Sequence, residues 1–220
     1  MKFIDYIDKN NIDTVLNLGD FLQKGPNPCE VVDKILSDKR FINISGNNER
    51  KLISTYRGQI LNSKNKEHQN WTIGMLGSTR MENIIKVEAE KVLEIEGLKM
   101  LMLHTRRKHI SDFPLIYSKN SADDFVNDYS DYNVNVVLFG HTHQPLYLKW
   151  SNMVFINPGT LGCSKKSEAD FVIMEIENGE ILDCSYKSLK YDNSKVIEDY
   201  IKFNVPDKEL LMKIFHGKEI

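Results

Sequence analysis

The chain has 220 residues, of which 41% are hydrophobic and 27% charged, so it can build a core and is not expected to be disordered. Its formal net charge of -2 gives no reason to infer binding to nucleic acid or to a membrane surface. No apolar run approaches the roughly 20 residues of a membrane span, and the polar N-terminal stretch MKFIDYIDKN is not expected to act as a signal peptide. The widely spaced Cys29, Cys163 and Cys184 form no disulfide framework and favour a cytoplasmic protein.

The first half of the chain alternates predicted helices with short predicted strands. Apolar residues at helical spacing indicate the helices, and short apolar runs that end near Gly or Asn indicate the strands. The polar stretch 62–70 is predicted to be a solvated connection, and Ser78 or Thr79 with Glu82 indicates the start of a helix. The other predicted elements are a helix at 1–11, a strand at 14–18, a helix at 30–37, a strand at 41–44 and broken helical patterns at 50–87.

The second half is predicted to be richer in strands. Asn178-Gly179 between two alternating runs is a strong signal for a β-hairpin, and Gly97 marks an earlier one. A helix is expected to start at Ser121, and two amphipathic helices follow Tyr191. We therefore divide the chain into a domain at 1–190 and a C-terminal helical extension at 191–220. The predicted strands are 91–96, 99–103, 134–139, 153–156, 171–177 and 180–187.

Five of the predicted strands end at glycine or at residues that bind metals. If these strands run parallel, their carboxyl ends meet at one edge of a sheet, where open α/β folds keep their reactive groups. One carboxylate, one or two carboxamides and three imidazoles would then lie together. The strand ends are Gly19-Asp20, Gly46-Asn47, His104, Gly140-His141 and Asn157-Pro158-Gly159.

The stretch Gly140-His141-Thr142-His143 places two imidazoles directly after an apolar strand. Taken alone, this pattern is equally explained by two histidines of a strand end that bind nothing. Together with the other strand ends it favours Mn, Fe or Zn, because Ca and Mg prefer oxygen ligands alone. A carboxylate between ions, with Asn and His on each side, can hold two metals about 3.5–4 Å apart and position a phosphoryl group for in-line attack.

These motifs resemble those of the calcineurin-like metallophosphoesterases, and most closely the small bacterial phosphodiesterase and diadenosine-tetraphosphatase-like branch. Each piece is weak alone, but the ordered set is specific. The resemblance implies a four-layer α/β sandwich, in which helices flank two packed mixed β-sheets. The matching pieces are Gly19-Asp20 with Gly25-Pro26, Gly46-Asn47-Asn48-Glu49, His104, Gly140-His141-Thr142-His143 and Asn157-Pro158-Gly159-Thr160.

By this resemblance, Asp20 would bridge two divalent metal ions. Asn47, His104 and His141 would complete the second metal site, and His143 would belong to the first. Manganese is the expected metal, with iron, zinc and nickel as alternatives. The Asn157 turn is expected to be structural.

The family's first motif, an Asp-x-His at the end of the first strand, has no counterpart in this sequence. Asp5 and Asp8 lie on a helical pattern and do not replace it. The first strand of the sandwich is therefore expected to be missing, and the chain is expected to bind about one ion where the family binds two. A truncated reading frame is the favoured explanation, and a degenerate paralogue is the alternative.

Asn48 stands where many family members have a His that is regarded as the general acid. An amide cannot protonate a leaving group, so Asn48 favours phosphoanhydrides or activated esters as substrates. His109 is a candidate replacement acid, although a surface histidine is the favoured explanation. Arg106 and Arg107 suit the phosphate oxygens of a substrate, with a solvated basic loop as an equal alternative.

The sequence thus predicts a metal-dependent hydrolase of phosphate esters or anhydrides, in which a metal-activated hydroxide attacks phosphorus in line. The substrate is expected to be small, phosphorylated and nucleotide-like, and the activity of this chain to be weak. The alternative is a catalytically impaired protein of the same fold that binds a nucleotide or a protein partner. The sequence does not indicate the oligomeric state.

Overall fold

The computed structural model describes residues 2–22, 24–59, 66–105, 123 and 126–218. They form two compact units. The first unit contains Met1–Glu88, Leu161–Ala169 and Leu189–Ile220, and the second contains Ala89–Thr160 and Asp170–Ser188. No helix in the described ranges is long and apolar enough to cross a membrane. The division of the chain at residue 190 stays a prediction.

The first unit is mostly helical around a small parallel sheet. The predicted N-terminal helix, both predicted strands and the two C-terminal helices are confirmed. The second helix begins at Pro28 rather than Glu30, because a proline fits the first turn of a helix. The elements are α1 (Lys2–Lys9), β1 (Val15–Asn17), α2 (Pro28–Ser37), β2 (Phe41–Asn43), α3 (Asn47–Tyr56), α4 (Lys66–Ile85), α5 (Ser194–Lys202) and α6 (Lys208–His216).

Strands β1 and β2 pair in parallel, so the loops that follow them leave from the same edge. Asn17 lies opposite Asn43, and the Asn17 side-chain amide donates a hydrogen bond to Asn43 Oδ1 at 2.9 Å. The Asn43 amide in turn donates to the backbone carbonyl of Ile35 in α2 at 3.0 Å. These contacts fix both strand ends at the point where the loops toward Asp20 and Asn47 begin.

Helix α4 begins at Lys66, inside the stretch predicted to be a solvated connection. The prediction for 62–70 is therefore wrong for the second part of that stretch, and its first part lies outside the described residues. His68 and Gln69 are buried, and the Thr55 hydroxyl donates to Gln69 Oε1 at 2.6 Å. A polar run folds as helix here because tertiary contacts satisfy its side chains.

Helix α4 is interrupted at Gly77, whose φ of 70° and ψ of 173° are not helical. Glycine adopts a positive φ without steric cost, so the chain can change direction at this residue. A second helical segment then starts at Ser78. The helix start predicted from Ser78 or Thr79 with Glu82 is thereby confirmed.

Two clusters of buried apolar side chains hold the first unit together. Burial of each large apolar side chain contributes about 1.5–3 kcal/mol. The first cluster joins the loop after Asp20 to α2, α3 and α4 through Leu22, Val32, Leu52, Leu76, Met81 and Ile84. The second joins the C-terminal helices to Trp71 of α4 through Tyr200, Val205, Leu211 and Met212.

The second unit contains a mixed sheet with the strand order β3-β4-β5-β7-β6 among its described residues. The central strands β4, β5 and β7 run parallel, and the outer strands pair antiparallel with them. Every residue of β5 is buried, as is typical of a parallel strand covered on both faces. The strands are β3 (Glu90–Ile95), β4 (Leu98–Leu103), β5 (Val136–Phe139), β6 (Leu146–Trp150) and β7 (Met153–Asn157).

Strand β6 was not predicted from the sequence. Its sequence, Leu-Tyr-Leu-Lys-Trp, is apolar at four of five positions, so it shows no alternation of polarity. In the structure the burial alternates along the strand, and Tyr147 is 47% exposed. Pairing with β7 at the sheet edge, rather than an intrinsic pattern, makes this segment a strand.

The hairpin predicted at Asn178-Gly179 is confirmed. Its strands, β8 (Glu168–Glu177) and β9 (Glu180–Lys190), extend beyond the predicted limits. Asn178 has a φ of 52° and Gly179 of 82°, and two positive φ values are what a type I′ turn requires. The Gly179 N–H donates to the carbonyl of Glu96 at 2.6 Å, which ties this turn to the β3-β4 turn.

His216 ends α6 in a buried position. It is 7% exposed, and its ring packs edge-on against Tyr200 with 5.6 Å between ring centroids. Its Nδ1 has no hydrogen-bond partner among the described residues. Burial lowers the pKa of His216. Because the folded state then binds the proton less readily than the unfolded state, protonation of His216 favours unfolding.

We therefore expect the titration of His216 to contribute a fall in the melting temperature of the metal-free protein as the pH drops through the ordinary histidine value of about 6.5. Replacing His216 with Gln should reduce this fall, because glutamine does not titrate. Thermal unfolding measured from about pH 7.5 to about pH 5.5 tests this expectation. The exposed Leu210 of the same helix, replaced by Gln, is the control, because this change removes no titratable group, and it should keep the wild-type slope. Equal slopes for wild type and His216→Gln would contradict the prediction.

Candidate metal centre

Asp20 follows β1 in a loop whose shape depends on glycine. Gly19 has a φ of 89° and Asp20 of 56°. A Cβ atom on Gly19 would lie 2.4 Å from the backbone nitrogen of Gly46, so the loops after β1 and β2 touch through glycine backbone. The Gly19 N–H also donates to Asn17 Oδ1 at 3.3 Å. The chain thus turns tightly after β1, and this turn places Asp20 beside the loop that follows β2.

The Asp20 carboxylate lies at the N-terminus of α3. Its Oδ1 accepts a hydrogen bond from the backbone N–H of Asn48 at 2.8 Å. The first N–H groups of a helix lack partners within the helix, and this end of the helix favours negative charge. Helix α3 therefore orients the carboxylate, which is the group predicted to bind a metal.

Glu49 joins the same two loops from within the core, where it is fully buried. Its Oε2 accepts hydrogen bonds from the N–H groups of Gly46 at 2.7 Å and Asp20 at 2.8 Å, and its Oε1 accepts one from Leu22 at 2.8 Å. Burial and, next, the charge of Asp20 raise the pKa of Glu49 to about 7, while the three N–H donors act in the opposite direction. One side chain thus holds both loops.

Glu49 is a site residue that the sequence analysis missed, since it entered only as the last position of a motif. The available signal was its place as third residue of α3, where an acidic side chain often accepts the N–H of the N-cap residue. The contacts with Asp20 and Leu22 have no such local signal, because they depend on the meeting of two distant loops.

Asn47 and Asn48 are the first two residues of α3. The Asn47 side-chain amide donates to Asn48 Oδ1 at 3.3 Å. This contact uses the NH2 group of Asn47. An amide binds a cation through its carbonyl oxygen, and this contact does not use that atom of Asn47. Asn48 also donates its backbone N–H to Asp20. It therefore contacts two of the predicted ligands, Asn47 and Asp20.

In the second unit, His104 and His141 form a close pair at the carboxyl ends of β4 and β5. A ring nitrogen of each lies within 4.8 Å of one of the other, and the ring planes meet at 77° with 5.3 Å between centroids. His104 is 2% exposed, and its carbonyl accepts a hydrogen bond from Gly140 at 3.3 Å. Two imidazoles in this arrangement suit a divalent transition metal.

Asn157 fixes the loop that carries His141. It is fully buried, and its amide donates to the carbonyl of Gly140 at 2.9 Å and to Thr142 Oγ1 at 3.0 Å. Its Oδ1 accepts the Gly159 N–H at 3.0 Å. The Asn157 amide thus joins the loop after β5 to the turn after β7, which agrees with the structural role that the resemblance implied.

Three of the predicted ligands have left-handed backbone conformations. The φ angles are 56° at Asp20, 67° at His141 and 57° at His143. Such residues cost of order 1–3 kcal/mol each, and they cluster at functional sites. His143 is exposed, and it does not belong to the close group of donor atoms that contains His104 and His141.

Cys29, Cys163 and Cys184 form no disulfide in the structure. Burial raises the pKa of Cys163 to about 12, so its thiol stays protonated at neutral pH. The Cys29 thiol donates to the carbonyl of Met75 at 3.0 Å.

Several predictions fall on residues outside the described ranges. The proposed phosphate contacts Arg106 and Arg107, the candidate acid His109 and the start of the predicted helix at Ser121 are among them. Their predicted roles stay predictions.

A family model described as the calcineurin-like phosphoesterase superfamily domain matches residues 1–179. The chain belongs to this superfamily. The resemblance inferred from the ordered motifs is therefore confirmed. Proteins of the calcineurin-like phosphoesterase superfamily bind divalent metals, and the carboxylate, amide and imidazole donors described above suit such ions. A search of curated proteins gives no match.

Solved structures of three proteins show the same fold. A hypothetical protein from Pyrococcus horikoshii is 15% identical, with 100% of this chain and 92% of that one covered and a TM-score of 0.80. A metallophosphoesterase from Sphaerobacter thermophilus is 18% identical, with 98% and 94% covered and a TM-score of 0.72. A single mutant of Vps29 from Entamoeba histolytica is 15% identical, with 87% and 89% covered and a TM-score of 0.50. The predicted α/β metallophosphoesterase fold is confirmed.

Proposed function

We propose that this calcineurin-like phosphoesterase is a metal-dependent hydrolase of phosphate esters or anhydrides. The main support is that the proposed ligands of each unit lie in loops after its parallel strands. Asp20 and Asn47 follow β1 and β2, and His104 and His141 follow β4 and β5. This is the end of a strand at which α/β folds place reactive groups.

The proposed metal ligands are Asp20, Asn47, His104, His141 and His143, with Asp20 as the bridging carboxylate where two ions bind. Mixed oxygen and nitrogen donors favour manganese, with iron, zinc and nickel as alternatives. The hydrogen bonds within each unit support this assignment, because they orient Asp20 through α3 and the loop of His141 through Asn157. A ligand oriented before binding loses less conformational entropy when the metal binds.

The proposed substrate is a small, nucleotide-like phosphate. When bound, the metal would polarise the phosphoryl group and lower the pKa of a water molecule. Asn48 would contact the leaving group through an amide, which donates a hydrogen bond but no proton. Weakly basic leaving groups are then favoured, as in phosphoanhydrides and activated esters. Arg106 and Arg107 are proposed to bind further phosphate oxygens, and three cysteines that form no disulfide support a cytoplasmic setting.

The test is turnover of a bis-aryl phosphodiester and of a dinucleoside polyphosphate with Mn2+. We expect Asp20→Asn to lower turnover by at least about 100-fold, since changes even to the partners of metal ligands cost 10–100-fold. Asp13→Asn is the matched control, because Asp13 is exposed and lies before β1, outside the loop that carries Asp20. Mn2+ should also raise the melting temperature of wild type by linkage.

A folded wild-type protein with no turnover above Asp20→Asn would overturn the proposed hydrolase. If Mn2+ also left its melting temperature unchanged, the proposed metal centre would be overturned as well. Binding of a nucleotide without turnover would instead identify a binding module of the same fold.

A further inference from the structure

The hydroxyl of Tyr200 reaches from α5 to the loop that carries Asp20. Tyr200 is 1% exposed, and its Oη donates a hydrogen bond to the backbone carbonyl of Lys24. Burial raises the pKa of Tyr200, so the hydroxyl keeps the proton that it donates. We use the name Asp20 loop for residues 19–22 and 24–27, and Lys24 lies in its second part.

The residue before Tyr200 holds the end of the same loop. The Asn27 amide donates to Asp199 Oδ2 at 3.0 Å. Asn27 is also the N-cap residue of α2, yet its side chain makes no capping hydrogen bond there. The contact with α5 thus takes the side chain away from its usual local role.

Helix α5 is itself firmly held, so it can restrain the loop. Tyr200 and Val205 belong to a buried cluster that includes Trp71 of α4. His68 Nδ1 lies 3.1 Å from the carbonyl oxygen of Pro206, in hydrogen-bond contact. The C-terminal helices therefore pack on α4 within the first unit.

The Asp20 loop is held at two places. Glu49 accepts the N–H groups of Asp20 and Leu22 in its first part, and α5 holds Lys24 and Asn27 in its second part. We propose that Asp199 and Tyr200 are positioning residues, which act through the loop backbone to set the metal affinity of Asp20. This inference rests on the proposed function, because it assigns the C-terminal helices a role in the same metal site.

The test is the affinity for Mn2+ of Tyr200→Phe, which loses only the hydroxyl. We expect its dissociation constant for Mn2+ to rise about tenfold, as for other residues that support metal ligands. Tyr191→Phe is the matched control, because the Tyr191 hydroxyl is buried without a hydrogen-bond partner among the described residues. Its Mn2+ affinity should stay at the wild-type value. A purely structural role would lower the melting temperature and leave the Mn2+ affinity unchanged.

Asp199 gives an independent test of the same proposal. Asp199→Asn keeps an oxygen acceptor for Asn27 and should retain the wild-type Mn2+ affinity, whereas Asp199→Leu should weaken it. Unchanged Mn2+ affinity in both Tyr200→Phe and Asp199→Leu would overturn the proposal.

Failure of the proposed function has a different signature, which is the absence of Mn2+ binding by wild type. Hydrogen exchange of the Asp20 and Leu22 amides then decides the positioning proposal. Faster exchange in Tyr200→Phe than in Tyr191→Phe supports it, and equal exchange in the two variants overturns it.

Discussion

Replacement of Gly46 by alanine should abolish Mn2+-dependent turnover and destabilise the protein by about 3 kcal/mol, the upper end for overpacking. An added Cβ would lie 2.1 Å from Asp20 Oδ1 and 2.5 Å from the Asp20 nitrogen. Gly46 has a φ of -87°, which alanine adopts easily, so the effect comes from contact and not from backbone strain. The Asp20 loop must move, and its carboxylate leaves the N-terminus of α3. Turnover and chemical denaturation measure the two effects.

Gly74→Ala is the matched control for this substitution. Gly74 is exposed in α4, and an added Cβ would meet no atom within 4 Å. Alanine in a helix should stabilise the protein by about 0.5–1 kcal/mol and leave turnover unchanged. Wild-type turnover in Gly46→Ala would show that the position of Asp20 does not determine activity.

Glu49→Leu should lower the free energy of unfolding by at least about 3 kcal/mol and remove Mn2+ binding. The substitution takes the acceptor from three backbone N–H groups, and each unpaired buried group costs about 1–3 kcal/mol. The Asp20 loop also loses its hydrogen bonds to the side chain of Glu49 and keeps the one that Asp20 accepts from the Asn48 N–H of α3. Urea denaturation of the metal-free protein and Mn2+ titration measure the two consequences separately.

Glu49→Gln should have an intermediate effect, because its single carbonyl oxygen can replace Oε2 but not both carboxylate oxygens. Glu82→Leu is the control for the loss of an acidic side chain, since Glu82 is exposed on α4. If Glu49→Leu and Glu82→Leu unfolded at the same urea concentration, Glu49 would not hold the loops together.

The strand ends could be predicted because their signals are local. Apolar runs that stop at Gly19-Asp20 or at Gly140-His141 give both the strand and the residue that follows it. The pairing of His104 with His141 then follows from parallel strands in register, which place the ends of β4 and β5 side by side. The resemblance to the superfamily depended on these same positions.

Other features could not be predicted because they depend on tertiary contacts. The first turns of α4 look like a polar linker, and only the tertiary fold buries Gln69 and His68 and gives them hydrogen-bond partners. Strand β6 has no alternation of polarity and forms by pairing with β7. Tyr200 and Lys24 are far apart in the sequence, and no local pattern of either residue indicates their contact.

The left-handed backbone at Asp20, His141 and His143 lowers the stability of the fold at residues that the proposed chemistry requires. Glycine would relieve the strain at each of these positions and would also delete a proposed ligand. Selection for heat resistance in the absence of metal would therefore favour loss of these side chains. Only a requirement for bound metal, whose free energy of binding adds to folding, would keep them in place.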